Sequence, residues 1–263
     1  MKIITWNVNG IRSVHSKGFS TWLQKESPDI ICLQETKANP DQLQKELINP
    51  LDDKNNAYKS FWASAKKRGY SGLVTFTKTE PTDIKFLGMP EFDDEGRALL
   101  LFYEDFVLIN TYFPNSQEGG VRLPYKLSFC DAILKKCKAL VKKGCHIILC
   151  GDYNIAHTPI DLARPKENEE NPGYFLQERE WMDKFTSSKF TDVFRHFHPG
   201  QADCYTWWSY RAGARERNVG WRLDYFCVDT PALDMIKSCK IMNDVFGSDH
   251  CPVQIILKDT SKY

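Results

Sequence analysis

Eight short apolar runs limit what this chain can fold into: Ile3–Val8, Ile30–Leu33, Leu73–Phe76, Ala98–Tyr103, Phe106–Tyr112, His146–Cys150, Leu223–Val228 and Val253–Leu257. Each has the length of a strand. Most are apolar at both alternating positions, the pattern of strands covered on both faces. Between them lie four helical stretches: Phe19–Glu26, Pro40 through Leu47 with Asn39 as its cap, Tyr125–Lys143 and Gln177–Ser187. The clearest is Tyr125–Lys143, where Cys130, Ile133, Leu134, Cys137, Leu140 and Val141 recur at helical spacing. Lys135, Lys136, Lys142 and Lys143 solvate its other face, and Gly144 supplies the stop. The elements do not alternate as βαβ units, so two stacked sheets with helices outside are expected.

No linker, repeat or low-complexity tract interrupts the chain, and a single domain over residues 1–263 is expected. With 35 Lys+Arg against 34 Asp+Glu, the formal net charge of +1 exerts no whole-molecule pull on polyanions. Binding to nucleic acid must then rest on local patches. No apolar run approaches the roughly 18 residues of a membrane span. Met1 leads straight into the first strand pattern, so no signal peptide is expected. The nine cysteines are odd in number and irregularly spaced, with no CxxC pair. They read as free thiols of a reducing compartment, not as disulfides or a zinc site.

Polar residues collect where apolar strands end. Asn7 and Asn9 follow Ile3–Trp6, Gln34 and Glu35 follow Ile30–Leu33, and Asp152 and Asn154 follow Ile147–Cys150. Asp224 lies inside Trp221–Phe226, and Asp249 and His250 precede Val253. Any one of these reads as an ordinary strand-terminating turn; five on core strands point to one cluster. Four carboxylates brought together repel unless a cation or a raised pKa relieves them. Hard oxygen ligands suit Mg²⁺ or Mn²⁺ better than zinc, and a divalent ion that neutralises a phosphate and activates water completes the set. His250 beside a carboxylate such as Asp224 becomes an oriented cation able to grip a phosphoryl oxygen. Alone it would read as a satisfied core histidine.

These residues sit in blocks that carry a family resemblance: Trp6–Gly10, Leu33–Lys37, Gly69–Gly72, Tyr112–Asn115, Gly151–His157, Ile160–Lys166, Gly220–Phe226 and Gly247–Pro252. In order, and over essentially the whole chain, they resemble the exonuclease III family of apurinic/apyrimidinic (AP) endonucleases. The resemblance implies a four-layer α/β sandwich of two stacked mixed β-sheets flanked by helices. It further implies a monomeric, Mg²⁺-dependent enzyme, with Mn²⁺ as substitute. Such an enzyme cuts double-stranded DNA 5′ to an abasic site and leaves a 3′-hydroxyl and a 5′-deoxyribose phosphate. A 3′ end in the same pocket would add 3′-phosphodiesterase or 3′→5′ exonuclease activity.

Position by position, the resemblance makes Glu35 the principal metal ligand, with Asn9 and Asp249 close to the ion. Asp152, helped by Asn154, orients and deprotonates the attacking water. His250, paired with Asp224, holds the scissile phosphate together with Asn7 and Tyr112. Trp207, Trp221 and Leu223 wall the abasic pocket, while Trp208 reads as core. Arg12, Tyr70, Arg97, Asn115, Arg122 and Arg211 contact the DNA backbone, flanked by basic loops at Lys66–Arg68 and Arg211–Arg217. The chain departs from the family at Asn9, where several members carry Asp. It also departs at the Ser116–Gly120 loop, which lacks a basic residue found in eukaryotic relatives, and at Arg211, which stands where they have an apolar wedge. The expected location is the bacterial cytoplasm at the nucleoid, or the nucleus in a eukaryote.

Two alternatives stay open on the sequence. Another phosphodiesterase of the superfamily, acting on inositol phosphates, sphingomyelin or RNA tails, would need the same metal core but not the Trp207/Trp221 pocket or the basic loops. A non-catalytic DNA-binding module would be expected to have lost at least one of Glu35, Asp152, Asp224, Asp249 and His250, and all five are present.

Overall fold

The computed structural model describes residues 1–258, so the last five residues of the single domain expected over 1–263 lie outside it. Among the described residues, twelve strands form two six-stranded sheets. The first is ordered β11 (Ile236–Ile241), β12 (Val253–Leu257), β1 (Lys2–Asn7), β2 (Ile30–Gln34), β4 (Leu73–Thr77), β3 (Lys59–Ala63). The second runs β5 (Asp83–Phe86), β6 (Ala98–Phe102), β7 (Val107–Tyr112), β8 (Ile147–Asp152), β10 (Asp224–Asp229), β9 (Phe190–Asp192). Both are mixed: β1–β2 and β7–β8 pair in parallel, the remaining neighbours antiparallel.

Period-two alternation sorts each strand between two cores. Ile3, Ile30, Cys32, Leu108, Ile148, Cys150, Phe226 and Val228 face inward and fill the space between the sheets. Ile4, Trp6, Ile31 and Leu33 face out beneath the helices α1 (Ile11–Ser16) and α2 (Phe19–Glu26). The outer side of the second sheet, with Ile109, Leu149, Tyr225 and Cys227, is covered by Phe129, Ile133, Trp181 and Met182 from the long helices Leu123–Val141 and Leu176–Ser187. Helix, sheet, sheet and helix make the four layers expected.

All eight apolar runs are strands, and the four strands not foreseen (β3, β5, β9, β11) are the four sheet edges. An edge strand must resist further pairing and is polar for that reason. β5 is exposed along its whole length, and β11 buries only Ile236 and Cys239. The helix expected from Pro40 to Leu47 is a correction. It is a single 3₁₀ turn, Pro40–Gln42, capped by Asn39, followed by a short helix Lys45–Ile48. Leu43 and Gln44 between them are extended, and only Leu47 reaches the core, so no apolar stripe holds a continuous helix.

A buried charge network under the second sheet fixes the approach to β10. Arg222 donates Nε to Asp161 Oδ1 at 2.8 Å and Nη2 to Asp192 Oδ2 at 2.7 Å, and Arg195 adds a 2.5 Å contact to Asp161. Burial opposes the charge on Asp161, but Arg222 and Arg195 outweigh it and hold its carboxyl well below the usual carboxylate range. A depressed folded-state pKa gives stability that is present above the unfolded value near 4 and lost as pH falls below it. Asp161→Asn is therefore expected to cost about 3 kcal/mol at pH 7. Urea melts should show that difference shrinking toward pH 3, and an equal deficit at both pH values would refute the assignment.

Candidate active site

The inward alternation that builds the core also delivers the site. Continuing two residues at a time, Ile3 and Thr5 lead to Asn7, Leu108 and Asn110 to Tyr112, Ile148 and Cys150 to Asp152, and Phe226 back to Asp224. The inter-sheet layer turns polar as it nears this end: Gln34 Nε2 donates to Asn110 Oδ1 across the sheets at 2.8 Å and to Thr5 Oγ1 at 2.9 Å. Strand register then sets Asp152 opposite Asp224 on one side and Tyr112 on the other. Gly151 is required here. Its φ is +134°, and a Cβ on it would lie 1.8 Å from the Thr111 carbonyl oxygen.

Just past the strands, Asn9, Glu35 and Asn154 all adopt left-handed backbone, at φ of 47°, 51° and 51°. Such non-glycine conformations carry strain that concentrates at functional sites. Here they turn polar side chains back toward the strand ends. The Asn7 amide nitrogen donates to both Asp152 Oδ2 at 2.8 Å and Glu35 Oε1 at 3.1 Å. Asn154 donates its main-chain N–H to Asp152 Oδ1 at 2.8 Å and its side-chain amide to Oδ2 at 3.2 Å, and takes a 3.2 Å bond from Asn115. His250 Nδ1 lies 2.8 Å from Asp224 Oδ2, and its Nε2 lies 3.9 Å from Asp152 Oδ2. The other oxygen of Asp224 is buried without a hydrogen-bond partner among the described residues.

The electrostatics follow from this crowding. Burial pushes the Asp152 carboxyl up, the His250 charge opposes that, and the Asp224 charge adds to it; the net direction is upward. Burial alone would discharge His250, but Asp224 and then Asp152 raise its pKa well above the usual histidine value and keep it cationic. Glu35 stays ionised despite its burial because the Lys37 ammonium lies 2.8 Å from Oε2 and the Tyr112 hydroxyl donates to Oε1 at 2.5 Å. Asp249 is likewise held low against burial, by the His250 charge and by bonds from Asn9 at 3.0 Å and the Trp207 indole at 3.1 Å.

Two sets of groups offer metal ligands. Asp152, Asp224 and His250 each present a ligand atom within 4.8 Å of the others and could hold a metal ion. In that trio, however, His250 Nδ1 is engaged by Asp224, and Asp152 already accepts three bonds from Asn7 and Asn154. The second set, Glu35, Asn9 and Asp249, is all oxygen, and a cation already stands in it: Lys37 Nζ bridges Glu35 Oε2 and Asn9 Oδ1. Lys37 was not singled out in the sequence, although it closes the Leu33–Lys37 block. Nor was Trp6, whose indole donates to the His250 carbonyl at 3.0 Å, or Ser248, which ties Asn7 to the Asp249 loop.

A cavity of about 660 Å³ opens over these groups, with Trp207, Trp221 and Leu223 along one wall. The two indoles meet edge to face at 6.3 Å. Trp207 is also held by Asp249, which ties the wall to the oxygen cluster. Trp208 is core, as expected, with its indole on Asn218.

The structure sorts the basic candidates. Arg12 and Arg211 are exposed, and Arg211 lines the cavity. Asn115 is exposed beside Asn154. Tyr70 is half-buried and receives Arg122 at 2.5 Å and Arg97 at 2.8 Å. Arg97 is a correction to the expected DNA contact. It is 2% exposed, with its guanidinium spent on Glu95, the Tyr112 carbonyl and Tyr70, because it lies beneath Tyr70 and Tyr112 rather than beside solvent. Arg215 also points inward, donating to the carbonyls of Asn243, Val245 and Ser248.

The endonuclease/exonuclease/phosphatase family model matches residues 4–250. An exodeoxyribonuclease of Bacillus subtilis is 44% identical over 259 residues, covering 98% of this chain and 99% of the relative. A DNA-(apurinic or apyrimidinic site) endonuclease of Dictyostelium discoideum is 41% identical over 260 residues, 98% of this chain and 70% of its own. Among solved structures, an AP endonuclease from Leishmania major superposes with a TM-score of 0.87 at 32% identity, covering 98% of this chain and 87% of that one.

Removing Arg97 as Arg97→Met leaves Glu95 and the Tyr112 carbonyl short of a donor and is expected to cost roughly 1–3 kcal/mol. Exposed Arg12→Ala is expected to change stability by no more than about 0.5 kcal/mol. Thermal melts of the two variants check this, and equal melting temperatures would place Arg97 among the surface groups after all.

Proposed function

The chain belongs to the endonuclease/exonuclease/phosphatase family and is a phosphodiesterase of the nuclease type; on that premise we propose that it is a Mg²⁺-dependent AP endonuclease of base excision repair. It cuts duplex DNA 5′ to an abasic site, as a monomer, and leaves a 3′-hydroxyl and a 5′-deoxyribose phosphate. The observation that carries this is the meeting of Asp152, His250 and Glu35 at one cavity that Trp207, Trp221 and Leu223 help to line, with Asn7 and Asp224 buried behind them and bonded to them. The relatives named for AP-site cleavage support the substrate. Among the described residues no helix is long and apolar enough to cross a membrane.

Asp152 is the water-activating base. Its two oxygens are aimed by Asn7 and Asn154, and its raised pKa suits a group that must take a proton near neutrality. The His250 imidazolium, oriented by Asp224, donates from Nε2 to a phosphoryl oxygen, and Asn7 and Tyr112 line the same phosphate. Glu35 and Asp249, with the amide oxygen of Asn9, would hold the hard Mg²⁺ ion, which when bound neutralises the phosphate and the leaving oxygen. With Asn at position 9 in place of Asp, this set carries one negative charge fewer to offer the ion.

The indoles of Trp207 and Trp221 with Leu223 give apolar walls for a bare sugar, and a lesion without a base is the cheapest nucleotide to turn out of the stack. Arg211 and Asn115 line the cavity, and with exposed Arg12 and with Arg122, which is braced on Tyr70 and Glu95, they would hold phosphates, which carry no sequence information, as a lesion enzyme requires. A 3′ terminus can occupy the same pocket, so 3′-phosphodiesterase and 3′→5′ exonuclease activity belong to the proposal. An exodeoxyribonuclease among the relatives supports that part.

Asp152→Asn is expected to abolish incision of an abasic duplex while leaving its binding within about twofold, since the proton acceptor goes and the shape stays. Gel shift and incision assays on one protein sample separate the two, and an active variant would remove Asp152 as the base. Glu35→Ala is expected to raise the Mg²⁺ concentration for half-maximal rate by at least about tenfold. A metal titration identical to wild type would strike Glu35 from the ligands.

A further inference from the structure

Behind the site, the helices Leu123–Val141 and Leu176–Ser187 bury an ion pair beside a core of apolar and aromatic side chains. Lys126 Nζ lies 2.6 Å from Glu178 Oε1, and neither side chain is exposed. For holding two helices together, apolar side chains of similar volume do as well or better than a buried ion pair. What the pair does reach is the main chain of the site loops. Lys126 donates to the Asn154 carbonyl at 2.5 Å. Glu178 Oε1 accepts from Ser116 Oγ at 2.5 Å, beside Asn115, whose amide holds the Asn154 side chain. Glu178 Oε2 accepts the main-chain N–H groups of Gly173 and Phe175 at 2.8 and 3.0 Å.

We propose that the Lys126–Glu178 pair is a positioning device for the reaction, setting the Asn154 loop and the Gly173 wall of the lesion pocket in one fixed relation. This rests on the reading that Asp152 activates water with the help of Asn154. Irregular loops leave main-chain groups without ladder partners, and three loops meet here: Asn115–Gln117, Asp152–Ala156 and Asn171–Phe175. Lys126 fixes the Asn154 carbonyl, and with it the direction in which the Asn154 N–H and amide meet Asp152. Glu178 fixes Gly173, where a Cβ would sit 3.1 Å from the Asn154 carbonyl oxygen and in contact with the Trp221 ring, and the Gly173 carbonyl takes the Ala156 N–H at 2.8 Å. The water-activating carboxylate and the pocket wall are thus both set from one buried pair. Neither Lys126 nor Glu178 touches substrate.

The test is the double variant Lys126→Met/Glu178→Gln, which removes both charges together and leaves an acceptor for Gly173. Its melting temperature should stay near that of wild type. Its kcat on an abasic duplex should fall at least about tenfold, because small misplacements of reacting groups are costly. Hydrogen exchange, read without substrate, should show lost protection at the Asn154 and Gly173 amides while the amides of Ile148–Cys150 keep theirs. A purely structural pair would let kcat track the melting temperature, so wild-type kcat in the stable double variant, or unchanged exchange at both amides, overturns the proposal. If the double variant does not fold, Ser116→Ala carries the test, with kcat expected to fall about fivefold, the worth of one hydrogen bond. Unchanged kcat and exchange there overturn the proposal equally. Wild-type protein that leaves the abasic duplex intact would contradict the proposed substrate, and the exchange pattern would then decide the positioning role by itself.

Discussion

The inward faces of the two sheets, pressed together through Ile3, Cys32, Ile148, Cys150 and Phe226, are what everything else depends on. Burial of that apolar layer is non-directional, but the two-residue period of a strand makes its consequence directional. Whatever sits in phase with those residues at the strand ends must also point between the sheets. Asn7, Tyr112, Asp152 and Asp224 are in phase. They could not reach solvent on the outer faces without turning Trp6, Leu149 and Tyr225 out of their own cores. The fold and the polar cluster are therefore one arrangement.

That arrangement brings like charges together, and the structure answers with partners rather than with distance. Asp152 and Asp224 are directly opposite in strand register, and the His250 cation lies against both. Asn7 spans the gap from Asp152 to Glu35 with a single amide. Lys37 occupies the space that Glu35 and Asn9 share. A buried polar network of this kind is costly if any member is left unpaired. The unpartnered Asp224 oxygen is one such cost, and it lies beside the group that would meet the phosphate. The Trp207–Asp249 bond extends the network to the cavity wall.

Much of this was legible in the sequence because the same residues report fold and site. Runs apolar on both alternations marked the central strands, and the amides and carboxylates beside five of them marked the cluster. The edge strands were silent, since a strand that must avoid pairing cannot advertise itself by an apolar pattern. Residues 40–47 misled because Asn39-Pro40 is an authentic cap signal for what proved to be one turn. Arg97 misled in another way: a charged residue near a site reads as surface, and only the packing of Tyr70 and Tyr112 above it reveals a buried support. Lys126 and Glu178 were invisible for a similar reason. Their partners are main-chain atoms of distant loops, which no spacing in the sequence encodes.

The central claim is that this inward polar cluster hydrolyses a phosphodiester beside a missing base. Its most direct test is incision of a duplex carrying a single tetrahydrofuran abasic analogue, in Mg²⁺ and in EDTA, beside the same duplex with an intact base. Cutting that needs the metal, occurs immediately 5′ to the analogue and spares the intact duplex is the predicted result. No incision in Mg²⁺ or Mn²⁺, or equal cutting of both duplexes, would contradict it.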